Sequence, residues 1–351
     1  MRVRAYKPLH RARPADEAFP AALPYPTGWF CVGLSREWAP GAVRTLPFMG
    51  ADVVVYRTRS GALRATRPYC PHLGAHLGAG GGVDGELLVC PFHRFAFAVD
   101  GTCARTPYGA PPKASLDVLP AKEAYGIVWV WHHADGAPPG WELPELPALA
   151  RPRASCAVEL AGHPQDVMEN FVDYGHVKEL HGVEHLDVVS APKDDGPFYT
   201  MTFTVRRTLP LFSSLLPSVQ EVDFRLLGLG AALILIEVPR YRIRAAQWML
   251  PTPVAPGRIR YLLAANLVMD PAPRLPAPVR RAAERAGSSG MNRWTRYDTR
   301  ADLVVFHHKA YVPHPRLNSG DGPIGAYRNW ARQFYATGPD PMGHDVITIK
   351  S

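Results

Sequence analysis

Short apolar stretches that stop at glycine, proline or aspartate dominate the first third of the chain. Residues 51–56, 86–89, 96–99 and 126–131 are each rich in Val, Phe, Tyr or Trp and end at such breakers, which predicts the strands of a small all-β domain. The segment 134–147 is dense in breakers and reads as a linker, so the domain boundary falls near residue 150. Beyond it the period changes. Val167, Phe171 and Tyr174 recur at steps of four and three behind Pro164, whose missing N–H suits a helix start, and they predict a helix over 164–180. Strict alternation returns over 198–269: Tyr199, Met201, Phe203 and Val205 point one way, Thr200, Thr202 and Thr204 the other. Further strands are expected at 231–238, 241–250 and 258–269. Helical composition returns at 280–285 and 295–306, and 326–335 closes the chain as an amphipathic helix. The pattern predicts an α+β protein: a basic arm over 1–25, an all-β domain over 26–150, and an antiparallel sheet gripped by helices over 151–351.

Composition narrows the class. With 351 residues, 47% hydrophobic and 20% charged, the chain can bury two cores and is neither disordered, collagenous nor a coiled coil. Its longest purely apolar run, 231–236, is too short to span a bilayer, and Arg2, Arg4, Lys7, Arg11 and Arg13 precede no apolar segment of the signal type. The expectation is a cytoplasmic protein with at most peripheral membrane contact. A formal charge of +8, from 39 basic and 31 acidic residues, favours acidic partners such as an electron-donor protein. No basic run interleaved with aromatics points to nucleic acid. Five cysteines, an odd number, argue for a reducing compartment.

Two constellations carry chemistry. The first is Cys70-Pro-His72 and, after seventeen intervening residues, Cys90-Pro-Phe-His93. Structural zinc sites usually keep cysteines with cysteines and histidines with histidines. Here each pair is mixed, which suits a [2Fe–2S] cluster with both thiolates on one iron and both imidazoles on the other, the Rieske arrangement. A zinc-stabilised site is the alternative. Neutral imidazoles raise the potential above that of plant-type ferredoxins. Ala75, Phe92 and Phe95 stand where the high-potential type has two more cysteines and a hydrogen-bonding serine, so a low-potential cluster serving oxygen chemistry is expected.

The second is Asp173-x₂-His176-x₄-His181. Asp173 and His176 share a helix face. His181 lies about 140° further round an ideal helix, so joint ligation requires a kink or π-bulge, with Gly175 as the weak point. Two histidines and one carboxylate make a facial triad with open positions for Fe(II) oxygen chemistry. Asp298 and Asp302, one turn apart near His307 and His308, are both candidates for the carboxylate.

The order Rieske motif, then Asn170-x₂-Asp173-x₂-His176-x₄-His181, resembles the oxygenase component of Rieske non-haem iron oxygenases over about residues 28–335. Within that superfamily, Tyr69-Cys-Pro-His-Leu-Gly-Ala-His76, Val128-Trp-Val-Trp-His132, Gly320-Asp-Gly-Pro-Ile324 and Arg328-Asn-Trp-Ala-Arg-Gln-Phe334 are similar to the branch of 3-ketosteroid 9α-hydroxylases and cholesterol 7-desaturases. The resemblance implies a Rieske domain followed by a helix-grip catalytic domain, and a third iron ligand nine residues before a tyrosine, which selects Asp302 by its spacing to Tyr311. Departures are Arg94-Phe95 where the family commonly has Gly-Trp or Asp-Trp, and Ala301 where the steroid hydroxylases usually have Gln.

The resemblance further implies a terminal oxygenase with Cys70, His72, Cys90 and His93 on the cluster and His176, His181 and Asp302 on Fe(II). Electrons derived from NAD(P)H arrive singly through a reductase, or a ferredoxin and reductase, for use with O2. A head-to-tail homotrimer is implied, with Asp173 bridging His93 of a neighbouring copy to His176. The implied substrate is a hydrophobic polycycle, sterol or steroid, that is hydroxylated, desaturated or oxidatively demethylated; an aromatic or other natural product is the alternative, and a zinc-stabilised lipid-binding module is the reading from another class. Asn170 is either a donor near the open iron position or polar filling. Glu169 is expected to be solvated, His76, His132, His133, His185, His307 and His308 to be surface or supporting groups, and Cys31, Cys103 and Cys156 to be buried apolar side chains. Trp129 and Trp131 are expected to be core. Met201, Phe203, Leu233, Leu235, Trp248 and Met249 are candidates for the wall of an apolar pocket, with half or more of them expected to be simply core.

Overall fold

The protein is described by a computed structural model over residues 23–208, 217–269 and 276–335. The basic arm lies almost wholly outside these residues. The N-terminal part folds as β1 (Gly28–Leu34), β2 (Val43–Phe48), β3 (Ala51–Arg57), β4 (Leu63–Thr66), β5 (Gly82–Asp84), β6 (Leu87–Val89), β7 (Ala96–Phe97), β8 (Cys103–Arg105), β9 (Val118–Leu119), β10 (Ala121–Ala124) and β11 (Ile127–His132). They form three antiparallel sheets, in the orders β1-β11-β10, β2-β3-β4-β9 and β5-β6-β7-β8.

The C-terminal part opens with β12 (Ala154–Ala161), followed by the helices α1 (Pro164–Glu169) and α2 (Tyr174–His181). Six strands come next: β13 (His185–Asp195), β14 (Phe198–Thr208), β15 (Pro217–Leu227), β16 (Ala231–Val238), β17 (Ile243–Ala255) and β18 (Arg258–Met269). With β12 they make one seven-stranded antiparallel sheet, ordered β12-β18-β17-β16-β15-β14-β13. The helices α3 (Ala277–Asp298), α4 (Arg300–His308) and α5 (Ile324–Ala331) complete the fold, α3 lying along β18 and β12.

Alternation explains how the two parts join. In β1 and β11, Trp29, Cys31, Trp129 and Trp131 face Trp248, Leu233 and Leu262 of the large sheet, while Phe30, Val32, Val128 and Val130 face the core of the small domain. A strand pair buried on both faces reads as an unbroken apolar run, and Val128-Trp-Val-Trp is that run. The tryptophans are core, as the sequence suggested. The wall is tight: a Cβ on Gly230 would stand 2.2 Å from the Trp29 carbonyl oxygen, so only glycine fits there. The breaker-rich segment 134–147 is packed rather than loose, with Trp141 edge-on to both Trp131 and Phe198 at 5.7 Å.

The helix expected over 164–180 is two helices. Asp173 leaves the helical conformation and its Oδ1 accepts the His176 N–H at 2.9 Å, restarting the chain as α2. An aspartate satisfies a free helix N–H best from that capping position. The pieces expected at 280–285 and 295–306 are instead the 22-residue α3 and, after Thr299, α4.

Candidate metal centres

Cys70 and Cys90 open two loops of one design. The Cys70 N–H donates to the Ala75 carbonyl at 2.9 Å and the Cys90 N–H to the Phe95 carbonyl at 2.8 Å, so each loop closes five residues on. Each has a left-handed residue four positions after its cysteine, Gly74 (φ 73°) and Arg94 (φ 59°). A glycine at 94 would suit that geometry without strain; arginine takes it at about 1 kcal/mol. Phe95 stacks flat on His72, centroids 4.3 Å apart, and the His72 and His93 rings meet edge-on at 4.7 Å.

These four donors fit a two-iron cluster. Cys70 and Cys90 are buried free thiols. Burial, together with the neighbouring Cys90 thiol, pushes the Cys70 thiol up to about 11 against hydrogen bonds from the backbone N–H groups of His72 and Leu73, so its thiolate needs a cation. The His72 Nδ1 is buried without a hydrogen-bond partner among the described residues, as a ligating nitrogen would be. Four donors on one tetrahedral zinc stand within about 4 Å of one another. The two mixed Cys–His pairs suit two irons, and among the described residues another group brings three ligand atoms within 4.8 Å of one another.

That other group is His176, His181 and Asp302. His176 Nε2 lies 3.0 Å from His181 Nε2 and 2.9 Å from Asp302 Oδ1, and His181 Nε2 lies 3.3 Å from Asp302 Oδ2. Ligands at about 2.1 Å and right angles around one metal sit ~3.0 Å apart, so the three atoms fit one face of a coordination sphere. Burial disfavours a charged His181 ring, yet the carboxylates of Asp298 and Asp302 outweigh it and lift the ring to about 9. Burial would raise Asp302, and the two imidazoles hold it below the usual carboxylate range instead. The pocket is electrostatically built for a cation.

The expected kink between the histidines is absent. Residues 174–181 are helical throughout, and the rings, 4.7 Å apart at 87°, converge because His181 is the last helical residue before left-handed Gly182 (φ 61°). Asp302 comes from the first turn of α4. Asn170 Nδ2 sits 3.4 Å from His176 Nε2. Asp173 contacts the His176 backbone and not its ring, whose Nδ1 is buried without a partner among the described residues.

A cavity of about 140 Å³ opens onto the triad. Of the six wall candidates, Phe203 and Met249 line it; the cavity strands turn Ile234 and Ile236 inward, so Leu233 and Leu235 face away, and Met201 and Trp248 are core. Other expectations need correction. Glu169 is buried, paired in two-pronged fashion with Arg328 at 2.5 and 3.0 Å. His307 is buried, its Nδ1 accepting the Ala161 N–H at 3.3 Å. Cys103 and Cys156 are only half-buried, unlike Cys31. Asp298, a candidate for the third carboxylate until the resemblance selected Asp302, reaches His181 Nδ1 at 3.4 Å. Neither the Arg328 nor the His181 contact has a local signal, since the partners are distant in sequence.

Residues 28–120 match the family described as Rieske [2Fe-2S] domain, and residues 130–335 match the 3-ketosteroid 9α-hydroxylase C-terminal domain. The chain is 30% identical over 330 residues to cholesterol 7-desaturase of Bombyx mori, covering 89% of this chain and 70% of that one. Over 166 residues it is 35% identical to a probable 3-ketosteroid-9-alpha-monooxygenase oxygenase component of Rhodococcus rhodochrous, 45% of this chain and 41% of that one. Among solved structures, dicamba monooxygenase bound to dicamba is similar at a TM-score of 0.61 and 18% identity, over 88% of this chain and 96% of that one. The NdmA protein of Pseudomonas putida CBB5 is similar at 0.61 and 17%, over 87% and 88%. At such identities the structural likeness speaks for the fold.

Proposed function

This chain belongs to the Rieske oxygenases whose catalytic domain is of the 3-ketosteroid 9α-hydroxylase type, and on that footing we propose that it oxidises a C–H bond of a sterol or steroid by hydroxylation, desaturation or oxidative demethylation. The observation that carries this reading is the triad of His176, His181 and Asp302 at the foot of an apolar cavity. In it, Cys70, His72, Cys90 and His93 hold the [2Fe–2S] cluster, and His176, His181 and Asp302 hold Fe(II). When bound, the cluster passes single electrons and the ferrous ion supplies dioxygen chemistry.

The protein's own groups do the rest. Asp302 gives one oxygen to each imidazole, Oδ1 toward His176 and Oδ2 toward His181, which fixes the ligand face. Asn170 keeps an amide beside that face. Phe203, Phe224, Ile234 and Ile236 offer van der Waals contact, with Gln220 and Gln247 as polar points on the same wall, so the cavity suits a largely apolar substrate. A cavity of about 150 Å³ takes roughly one benzene-sized ring. A polycyclic substrate therefore presents one ring to the iron and extends the others through the open side. The same volume favours a second reading, a single-ring aromatic substrate.

An electron-transfer protein, ferredoxin or reductase, must serve the cluster. A head-to-tail homotrimer, with Asp173 coupling a neighbour's His93 to His176, is supported by the apolar surround of the cluster loops: Tyr69, Leu73, Phe92 and Tyr108 are 63, 66, 61 and 57% exposed in the single chain. The test is incubation of the purified chain, a surrogate ferredoxin and reductase, NADH and oxygen with a panel of sterols, 3-ketosteroids and single-ring aryl methyl ethers. Oxygenated or dehydrogenated sterol is expected. Turnover confined to the aryl ethers would transfer the conclusion to the second reading.

A further inference from the structure

We infer that Asp298 is a positioning residue of the iron site: its carboxylate, at ion-pair distance from the far nitrogen of His181, favours the ring orientation in which the other nitrogen faces the metal. This role rests on His181 being an iron ligand, as in the proposed function.

Asp298 is the last residue of α3 and Asp302 belongs to the first turn of α4, the two helices meeting at Thr299. Carboxylates four residues apart repel by a few tenths of a kcal/mol unless something positive lies between them. The His181 ring lies there. Asp298 Oδ2 stands 3.4 Å from His181 Nδ1, and Asp302 Oδ2 stands 3.3 Å from His181 Nε2, so each carboxylate addresses a different nitrogen of one imidazole. That division separates their roles. The three-atom face comprises His176, His181 and Asp302, and Asp298 is outside it. A carboxylate on Nδ1 holds the proton there, turns the Nε2 lone pair toward the ion and stops the ring rotating out of the face. Asp298 stands at ion-pair distance from the His181 Nδ1, and no such contact to the His176 Nδ1 is found among the described residues, so within the single chain this device serves one histidine of the two.

The test is anaerobic Fe²⁺ binding to cluster-loaded protein, measured by competition with a ferrous chelator, for the unchanged chain and for Asp298→Ala, Asp298→Asn and His181→Ala. Visible absorption of the cluster and the thermal midpoint report folding separately. Asp298→Ala is expected to weaken Fe²⁺ binding 10- to 100-fold with the cluster spectrum unchanged. Asp298→Asn, whose amide oxygen still accepts from Nδ1–H, should fall between the two. His181→Ala should abolish binding. Fe²⁺ affinity within twofold of the unchanged chain in Asp298→Ala, while His181→Ala loses it, overturns the inference; if the alanine variant does not fold, the same result in Asp298→Asn overturns it. Unchanged affinity in His181→Ala would instead overturn the ligand assignment itself.

Discussion

Two side chains show how much a single residue decides here. His163 caps α1, its Nδ1 accepting the Gln165 N–H at 3.2 Å while its Nε2–H donates to the Pro24 carbonyl at 3.1 Å. The Gln165 bond needs the neutral ring, whose Nδ1 lone pair accepts it, and burial depresses the pKa to about 4 against the Pro24 bond, which favours the charged ring. The unfolded chain, near 6.5, takes up the proton first, so this group's contribution is intact above pH 6.5 and is lost as pH falls toward 4, by about 3 kcal/mol in all. Urea midpoints at pH 7 and 5 should differ in that sense, and His163→Asn, which keeps a capping oxygen, should flatten the difference. Asp173 poses a sharper question, because its observed contact is a helix cap. Asparagine caps as well as aspartate, whereas alanine loses about 1 kcal/mol. If coupling between copies is its role, Asp173→Asn will keep both metals and its thermal midpoint while turnover falls at least tenfold; undiminished product formation would reduce Asp173 to a cap.

At the scale of elements, the site depends on how the helices are held. α1 and α5 are tied by Glu169 and Arg328, a pair about nine-tenths removed from solvent, and burial of the guanidinium is more than offset by the carboxylate, which raises its pKa. Removing one partner of such a pair strands the other charge. Glu169→Ala should therefore destabilise the protein by about 3–5 kcal/mol in denaturant titration, and Glu169→Gln by less. α3 makes the converse point. Its run Ala286-Gly-Ser-Ser-Gly290 is a poor helix former in isolation, which is why the sequence suggested two shorter pieces. Small side chains there let the helix sit on β18: a Cβ on Gly287 would meet Leu267 at 3.0 Å, and the Ser288 hydroxyl accepts the Leu267 N–H. Tertiary packing overrides local propensity.

For the whole molecule, the cluster loops end in an exposed apolar surround, and among the described residues no helix is long and apolar enough to cross a membrane. The proposed trimer covers this surface with a neighbouring copy. Sedimentation should give three chains per particle, and Leu73→Glu with Phe92→Glu should shift the protein toward monomer and suppress turnover while the cluster absorption persists. A monomeric unchanged chain would end the trimer proposal. Chemistry written in short, dense motifs was legible without coordinates: the two Cys-His pairs, the His176 and His181 pair, the strand-rich first part and the α+β second part all come from local spacing and period. The resemblance singled out Asp302 on spacing alone; in the structure Asp302 stands at the Nε2 of His181, the nitrogen nearest His176, and Asp298 at its Nδ1. Only the tertiary structure decided that Glu169 meets Arg328, that Asp173 splits one predicted helix into two, and which side of β16 looks into the cavity. The physical reason is range. A motif or a period records contacts among near neighbours, whereas burial, ion pairing and the orientation of a ring depend on residues brought together from more than a hundred positions away.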